Sequence, residues 1–222
     1  MKILAIDTSS KICSTAILED ENVIDINNLD DGKTHSENLM PLIDELLKRN
    51  NLKVSDINMI ACSVGPGSFT GIRIGISSIK AIAEVLNVKV ASVTSLETLA
   101  KNVENSEEII VSLIDARNNQ VYCGIFDNNY NKKQEYIADD INKIIEILKQ
   151  YKNITFVGDG SILHKELLKE NLSNISFVEN NEQSASNVGK IGYKKFLENN
   201  LYDADTIIPM YLRKSQAERL KK

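Results

Sequence analysis

The chain of 222 residues has no tryptophan, three prolines, three cysteines and two histidines. Each scarcity excludes something. His35 and His164 stand far apart, so the His-x-x-x-His pair by which a helix grips a metal is impossible. Two imidazoles also give a hydrolase little choice of base, and no Gly-x-Ser-x-Gly elbow is present. Cys13, Cys62 and Cys123 are an odd number, each inside an apolar run, and read as buried reduced thiols of a cytoplasmic protein. No apolar run approaches the roughly 18–20 residues that a membrane span requires. No secretory leader is read, because Met1-Lys2 leads directly into Ile3-Leu4-Ala5-Ile6. The net charge of −5 argues against broad nucleic-acid affinity. The C-terminal tail departs from this balance. Arg213, Lys214, Arg219, Lys221 and Lys222 face a single acid, Glu218, which reads either as a solvated tail or as a contact for RNA or an acidic partner.

What is there is a chain of ordinary globular composition, long enough for one large domain or two small lobes. Its centre is the run Ser63–Leu86. Met59–Val64 reads as a buried strand, Gly65-Pro66-Gly67 as the turn that stops it, and Ser68 or Thr70 as the cap of a long helix. On that helix Ile72, Ile76, Ile79 and Ala83 follow the helical period, and Gly71, Gly75, Ser78 and Ile82 form a second stripe of mostly small residues. The small stripe fits either close packing on the chain's own sheet or contact with another subunit. The glycine turn fits neither the dinucleotide fingerprint nor a P-loop, since position 70 is Thr70 and no Gly-Lys-Ser/Thr follows. A plain turn and a phosphate site at the helix start both stay open.

Read in order, Ile3–Ile6 is a strand ending at Asp7-Thr8-Ser9-Ser10, and Cys13–Leu18 with Val23–Leu29 makes an antiparallel hairpin. Thr34-His35-Ser36-Glu37 matches a capping box. The helix it opens carries Leu39, Leu42, Ile43, Leu46 and Leu47, with Pro41 forcing its first turns to kink or start late. Val88–Val93 is a strand and Ser95–Val103 a helix. The order then repeats. Ile109–Ile114 ends at Asp115, and Val121–Phe126 and Lys133–Ala138 are strands. Ile141–Gln150 is a helix, Ile154–Val157 a strand, and Gly158-Asp159-Gly160 a second glycine turn before a helix from Ser161 to Glu170. Ile175–Val178 and Ser186–Asn199 complete the second half, the last helix turning Val188, Ile191 and Phe196 inward. The chain is thus α/β, a βββαβαβα unit used twice, with a first lobe at 1–105 and a second at 106–205. The segment 206–222, with strand-like Ile207–Leu212, is expected to return toward the first lobe. The boundary falls near Asn105-Ser106.

This doubled pattern resembles the actin–sugar kinase–Hsp70 superfamily, with its actin-like ATPase, ribonuclease H-like lobes. Within it the chain resembles the accessory branch of the tRNA threonylcarbamoyladenosine biosynthesis proteins. The resemblance rests on Ile6-Asp7-Thr8-Ser9, on Thr34-His35-Ser36-Glu37 with Leu39 and Pro41, and on the Gly65–Gly75 run. It continues in Asp115-Ala116-Arg117, Gly158-Asp159-Gly160 and Pro209-Met210-Tyr211-Leu212-Arg213. It implies a non-catalytic subunit that pairs with the catalytic paralogue TsaD, joined by a TsaE-like ATPase. ATP and metal belong to those partners, tRNA is met through the complex, and the lone chain is able to form a homodimer.

The implied partner face is a helix bundle of Ser36–Arg49 and Thr70–Leu86, through His35, Leu39, Leu42, Ile43, Leu46, Gly71, Ile72, Gly75, Ile76, Ser78, Ile79 and Ile82. On that reading Gly75→Leu leaves the lobe folded and blocks pairing. The superfamily clamps ATP near the first-strand aspartates. Here Asp7, Thr8, Ser9, Asp115, Arg117, Gly158 and Gly160 are the vestige of that cleft, because the superfamily's loops place a glycine beside each aspartate and this chain has Thr8 and Ala116. No catalytic or metal-binding residue is expected. An active ATP-dependent kinase or transferase of the same fold, with Asp7 and Asp115 around Mg²⁺, is the alternative, and a metallopeptidase a weaker one.

Overall fold

The computed structural model describes residues 1–104, 106 and 108–213. The expected boundary residue Asn105 and the basic tail from Lys214 onward lie outside them. The chain divides into two units. Unit 1 holds Met1–Thr98 and Gln183–Met210, and unit 2 holds Leu99–Glu182 and residues 211–213.

Unit 1 is built on strands β1 (Lys2–Asp7), β2 (Cys13–Glu19), β3 (Asn22–Leu29), β4 (Met59–Ser63) and β5 (Lys89–Val93), in the order β3-β2-β1-β4-β5. The hairpin strands pair antiparallel, while β1, β4 and β5 run parallel. Alternation along β1 sorts the two faces. Leu4 and Ile6 point into the core beneath α1 (His35–Arg49) and α2 (Phe69–Leu86), whereas Ile3 and Ala5 point to the core beneath α7 (Ala185–Leu197). Covered on both faces, β1 and β4 read as continuous apolar runs. Leu39, Leu46, Ile72 and Ile79 are almost wholly buried. Each such side chain contributes about 1.5–3 kcal/mol, so packing rather than the caps, worth about 1 kcal/mol apiece, holds α1 and α2 in place.

Unit 2 repeats the plan. Its strands β6 (Ile109–Asp115), β7 (Gln120–Asp127), β8 (Ile137–Asp140), β9 (Ile154–Val157) and β10 (Ile175–Phe177) run β10-β9-β6-β7-β8, the same order with the same parallel and antiparallel partners. Helix α3 (Ser95–Ala100) bridges the division in sequence, and α4 (Ile141–Leu148), α5 (Asp159–Leu163) and α6 (Lys165–Asn171) complete the unit. Ile144, Leu148 and Leu168 are buried with Val111, Leu113 and Phe156.

Several expectations are corrected. The last helix does not belong with the second lobe: α7 packs on β1, β2, β4 and β5 of unit 1. It lies close because two of its glycines face the sheet, Gly189 against Leu18 and Gly192 against Ala61 and Ala91. A Cβ on Gly189 would fall 2.1 Å from Leu18 Cδ1, and one on Gly192 2.6 Å from Ala61 Cβ. Phe196 is partly exposed rather than inward. Helix α1 starts at His35 with Pro41 inside it, so it does not start late. The 161–170 stretch is two helices, divided at His164. Residues 207–212 form no strand. Met210 N donates to Val64 O in unit 1, and an isolated bridge from Tyr202 to Val90 covers the β5 edge instead. The three cysteines are free and buried; burial pushes Cys13 up to about 11 and Cys123 to about 12, with Cys62 raised further.

A candidate protein-docking groove and two aspartate turns

Both helices of the groove are fixed at their ends. Glu37 of α1 turns back to accept from the Thr34 N–H and hydroxyl, at 3.0 and 2.7 Å. At the other end Arg49 makes a two-pronged pair with Asp25 of β3, at 2.7 and 2.8 Å, which lowers the Asp25 carboxyl to about 2. Ser68 Oγ caps α2 by accepting from Gly71 N at 3.2 Å, and Asn87 closes it in the left-handed conformation.

Between α1 and α2 runs an open groove of two adjoining concavities. One, of about 350 Å³, is lined by His35, Ser36, Leu39, Met40, Arg73, Ile74, Ser77 and Ser78. The other, of about 370 Å³, is lined by Met40, Ile43, Asp44, Leu47, Val54, Ala81, Ile82, Val85 and Leu86. Met40 belongs to both and joins them. Three exposed apolar side chains line it: Val85 is 85% exposed, Met40 49% and Val54 42%. Apolar groups so displayed along one face are the ordinary mark of a protein-binding surface.

The sequence-derived partner set divides on this geometry. His35, Leu39, Ile43, Ser78 and Ile82 line the groove. Leu42, Leu46, Ile72, Ile76 and Ile79 are turned into the unit's own core, to which the nearly buried Leu39 and Ile43 at the base of the groove also belong. Gly71 and Gly75 are also buried, and their neighbour is Thr8 of the same chain. A Cβ on Gly71 would lie 2.1 Å from Thr8 O, and one on Gly75 2.3 Å from Thr8 Oγ1. The two glycines of the small stripe therefore have an intrachain cause, while its Ser78 and Ile82 line the groove. The groove residues that the sequence reading missed, Met40, Ile74, Ala81 and Val85 among them, form the other stripe of α2 and the shoulder of α1. Their signal was present, in a helix apolar on nearly all sides.

The glycine run serves the first aspartate turn. Thr8 Oγ1 donates to Gly71 O at 2.8 Å, and Ser68 N to Ser9 O at 2.7 Å. Ser9 in turn donates to Asp7 Oδ1 from its N–H (2.8 Å) and its hydroxyl (2.6 Å). Asp7 is 1% exposed, and its Oδ2 is buried without a hydrogen-bond partner. Burial pushes its ionisation above the usual carboxylate range, against the pull of the Ser9 bonds. His35 Nε2 bonds Ser10 O at 2.9 Å, and because a carbonyl only accepts, that nitrogen carries the proton.

In unit 2, Asp159 Oδ1 accepts from the backbone N–H of Asp115 (3.0 Å) and of Gly160 (2.8 Å), while Asp115 Oδ1 accepts from Arg117 N (2.8 Å). A Cβ on Gly158 would lie 2.2 Å from Leu113 O, so this glycine serves close packing on β6. Desolvation, with a smaller contribution from the Asp115 charge, raises the Asp159 carboxyl.

These residues do not fit the Mg²⁺-nucleotide of the wider fold family. A metal ligand must reach its ion, and Asp7 is sealed. The N–H groups of Asp115, at the end of β6, and of Gly160, in α5, are already occupied by the Asp159 carboxylate, which would repel a phosphate. Among the described residues no group of three or more His, Cys, Asp or Glu is placed to hold a metal.

The sealed Asp7 has a consequence for stability. An acid whose folded value is raised stabilises the fold fully below its unfolded value of about 4 and loses that contribution as pH rises through the folded value. Asp7→Asn keeps an acceptor for Ser9 and cannot ionise. Its advantage over the parent chain in urea unfolding is expected to grow above pH 4 and then level off. A difference independent of pH would mean that Asp7 titrates like an exposed carboxyl.

Solved structures share this architecture over nearly the whole chain. YeaZ from Pseudomonas aeruginosa superposes with a TM-score of 0.84 at 22% identity, covering 95% of this chain and 99% of that one. The activator of 2-hydroxyisocaproyl-CoA dehydratase from Clostridium difficile, with bound ADPNP, gives 0.53 at 11% identity, covering 95% and 100%. Two five-stranded mixed sheets of one order, flanked by helices, with these neighbours, define the actin-like ATPase fold. A family model described as TsaD, tRNA N6-adenosine threonylcarbamoyltransferase, matches residues 30–221. The tRNA threonylcarbamoyladenosine biosynthesis protein TsaB of Bacillus subtilis is 31% identical, over 98% of this chain and 96% of its own length. That of Haemophilus influenzae is 28% identical, over 96% and 94%. The chain belongs to the TsaB family.

Proposed function

We propose that the chain is the accessory, non-catalytic subunit of a complex that transfers a threonylcarbamoyl group to the adenosine beside the anticodon of tRNA. It pairs with a TsaD-like paralogue through the α1–α2 groove. ATP and metal reside with that paralogue and with a TsaE-like ATPase, and tRNA is met through the assembly in the cytoplasm. The carrying observation is the groove, two adjoining concavities joined at Met40 with an aliphatic half around Val85, between two helices fixed at their ends. A family model for the catalytic relative matches the chain itself, so the partner is a paralogue with helices of the same kind to offer. Alone, the same face supports a homodimer that competes with the functional pair. The sealed Asp7 and the self-occupied donors at β6 support a passive rather than an ATP-consuming role.

Titrating the TsaD-family protein of the same genome into the purified chain is expected to give saturable one-to-one binding, while Mg²⁺–ATP gives no saturable heat. No complex at roughly 100 μM, a free energy weaker than about −5.5 kcal/mol, would remove the pairing proposal. Saturable ATP binding that Asp7→Ala abolishes would replace it with the phosphoryl-transfer enzyme of the same fold.

A further inference from the structure

Three consecutive residues of the Asp7 turn are tied to the starts of the two helices that wall the groove. Thr8 Oγ1 donates to Gly71 O at 2.8 Å, Ser9 O accepts from Ser68 N at 2.7 Å, and Ser10 O accepts from His35 Nε2 at 2.9 Å. The first two ties are packed tight. Thr8 and Ser9 are buried, and a Cβ on Gly67 would lie 2.2 Å from Ser9 O. The third lies at the edge, where His35 and Ser10 are both half-buried. His35 is the first residue of α1, placed by the Thr34–Glu37 capping box. One imidazole thus lines the groove and holds the turn in which Asp7 is sealed. Water competes for a hydrogen bond at such an edge, and shielding from water strengthens the bond. Of the three ties, this is the one that a body seated in the groove would cover.

We infer that His35 is the latch of the Asp7 turn, and that a helix of the TsaD-like paralogue seated in the groove holds that latch closed. The inference rests on the pairing proposed above and adds a consequence for the turn. In the latched state Nε2–H meets Ser10 O. In the other state both groups are hydrated, and the turn, held by two ties rather than three, opens more often. A partner lying over His35 excludes the water on which the second state depends. Docking and latching therefore favour each other by one common factor, since linkage is reciprocal. Pairing thereby keeps the aspartate of the accessory chain sealed.

The test is hydrogen–deuterium exchange at the amides of Ser9 and Ser68, which close the turn onto Asp7 and onto Ser9 O. It is read with and without the TsaD-family protein, in two variants. His35→Leu keeps apolar bulk on α1 and has no donor; His35→Gln keeps an N–H for Ser10 O. Both residues suit a helix. In the free chain His35→Leu is expected to speed exchange at the turn roughly tenfold, the worth of one hydrogen bond, with His35→Gln close to the parent. The amides of β4 report global opening and are expected to stay unchanged. Adding the partner is expected to slow the turn amides in the parent and in His35→Gln, and to leave them at their free-chain rate in His35→Leu. Parent-like exchange in free His35→Leu, or acceleration of β4 and the turn by the same factor, would overturn the latch. Equal slowing by the partner in the parent and in His35→Leu would overturn the coupling. If the parent forms no complex, the pairing falls and the coupling with it, while exchange in the free chain still decides whether His35 is the latch.

Discussion

Gly71→Ala is expected to cost unit 1 most of its stability, although by helix propensity alone it should help. Alanine inside a helix is favoured over glycine by about 1 kcal/mol. The new methyl, however, would lie 2.1 Å from the carbonyl oxygen of Thr8 and 2.8 Å from His35 Cδ2. A backbone oxygen does not step aside as a side-chain tip does. Relief requires α2 to lift from the Asp7 turn, which breaks the Thr8 Oγ1–Gly71 O bond and loosens the packing of Ile72 and Ile76. Overpacking of this kind costs about 3 kcal/mol or more, a large part of the roughly 5–15 kcal/mol that holds a domain together. Steric cost therefore exceeds propensity gain, and the urea midpoint should fall sharply. An unchanged or raised midpoint would show that the helix does not approach Thr8 this closely. Gly75→Leu belongs to the same class. It strikes Thr8 Oγ1 and is expected to lose the fold together with any pairing, so it does not isolate the interface.

The doubled topology was legible because it rests on local signals. Strands such as Ile3–Ile6 and Ile109–Ile114 are apolar runs ending on an aspartate, and both hairpins follow from short polar connections. What sequence order cannot show is which sheet a helix visits. Residues 185–197 follow β10 and read as part of the second half, yet they cover the first sheet. The available clue was steric: Gly189 and Gly192 three residues apart, with Ala5, Ala16, Ala61 and Ala91 waiting on one sheet face. Strand β8 begins at Ile137 rather than Lys133 because the preceding residues are polar and only Lys132 makes a bridge to β7. The groove illustrates the same limit. The two helices that form it were identified correctly, but a helix apolar all round does not say which stripe its own sheet takes. Here Ile72, Ile76, Ile79 and Ala83 face the core with Gly71 and Gly75, leaving Ile74, Ala81, Ile82 and Val85 along the outer side.

That outer stripe predicts the largest effect on association. Val85→Asp changes a side chain that is 85% exposed, so the isolated chain should fold with little loss. The only intrinsic cost is an acid near the negative end of α2, typically about 0.3–1 kcal/mol. In the complex the same carboxylate would be enclosed by Met40, Val54, Ile82 and Leu86, none of which can donate a hydrogen bond from its side chain. An unpaired buried charge costs on the order of 3–5 kcal/mol, which corresponds to a loss of affinity of more than a hundredfold. Val85→Ala removes two methyl groups and no more, about 1–2 kcal/mol if they are fully covered by the partner, a loss of tenfold or so. The ratio between the two variants distinguishes burial from mere proximity: a contact at the rim of an interface would leave aspartate hydrated and the two variants nearly equal. Binding of the TsaD-family protein measured by calorimetry, with melting of each free variant as the control for folding, gives both numbers. Wild-type affinity in Val85→Asp would place the partner on some other face of unit 1.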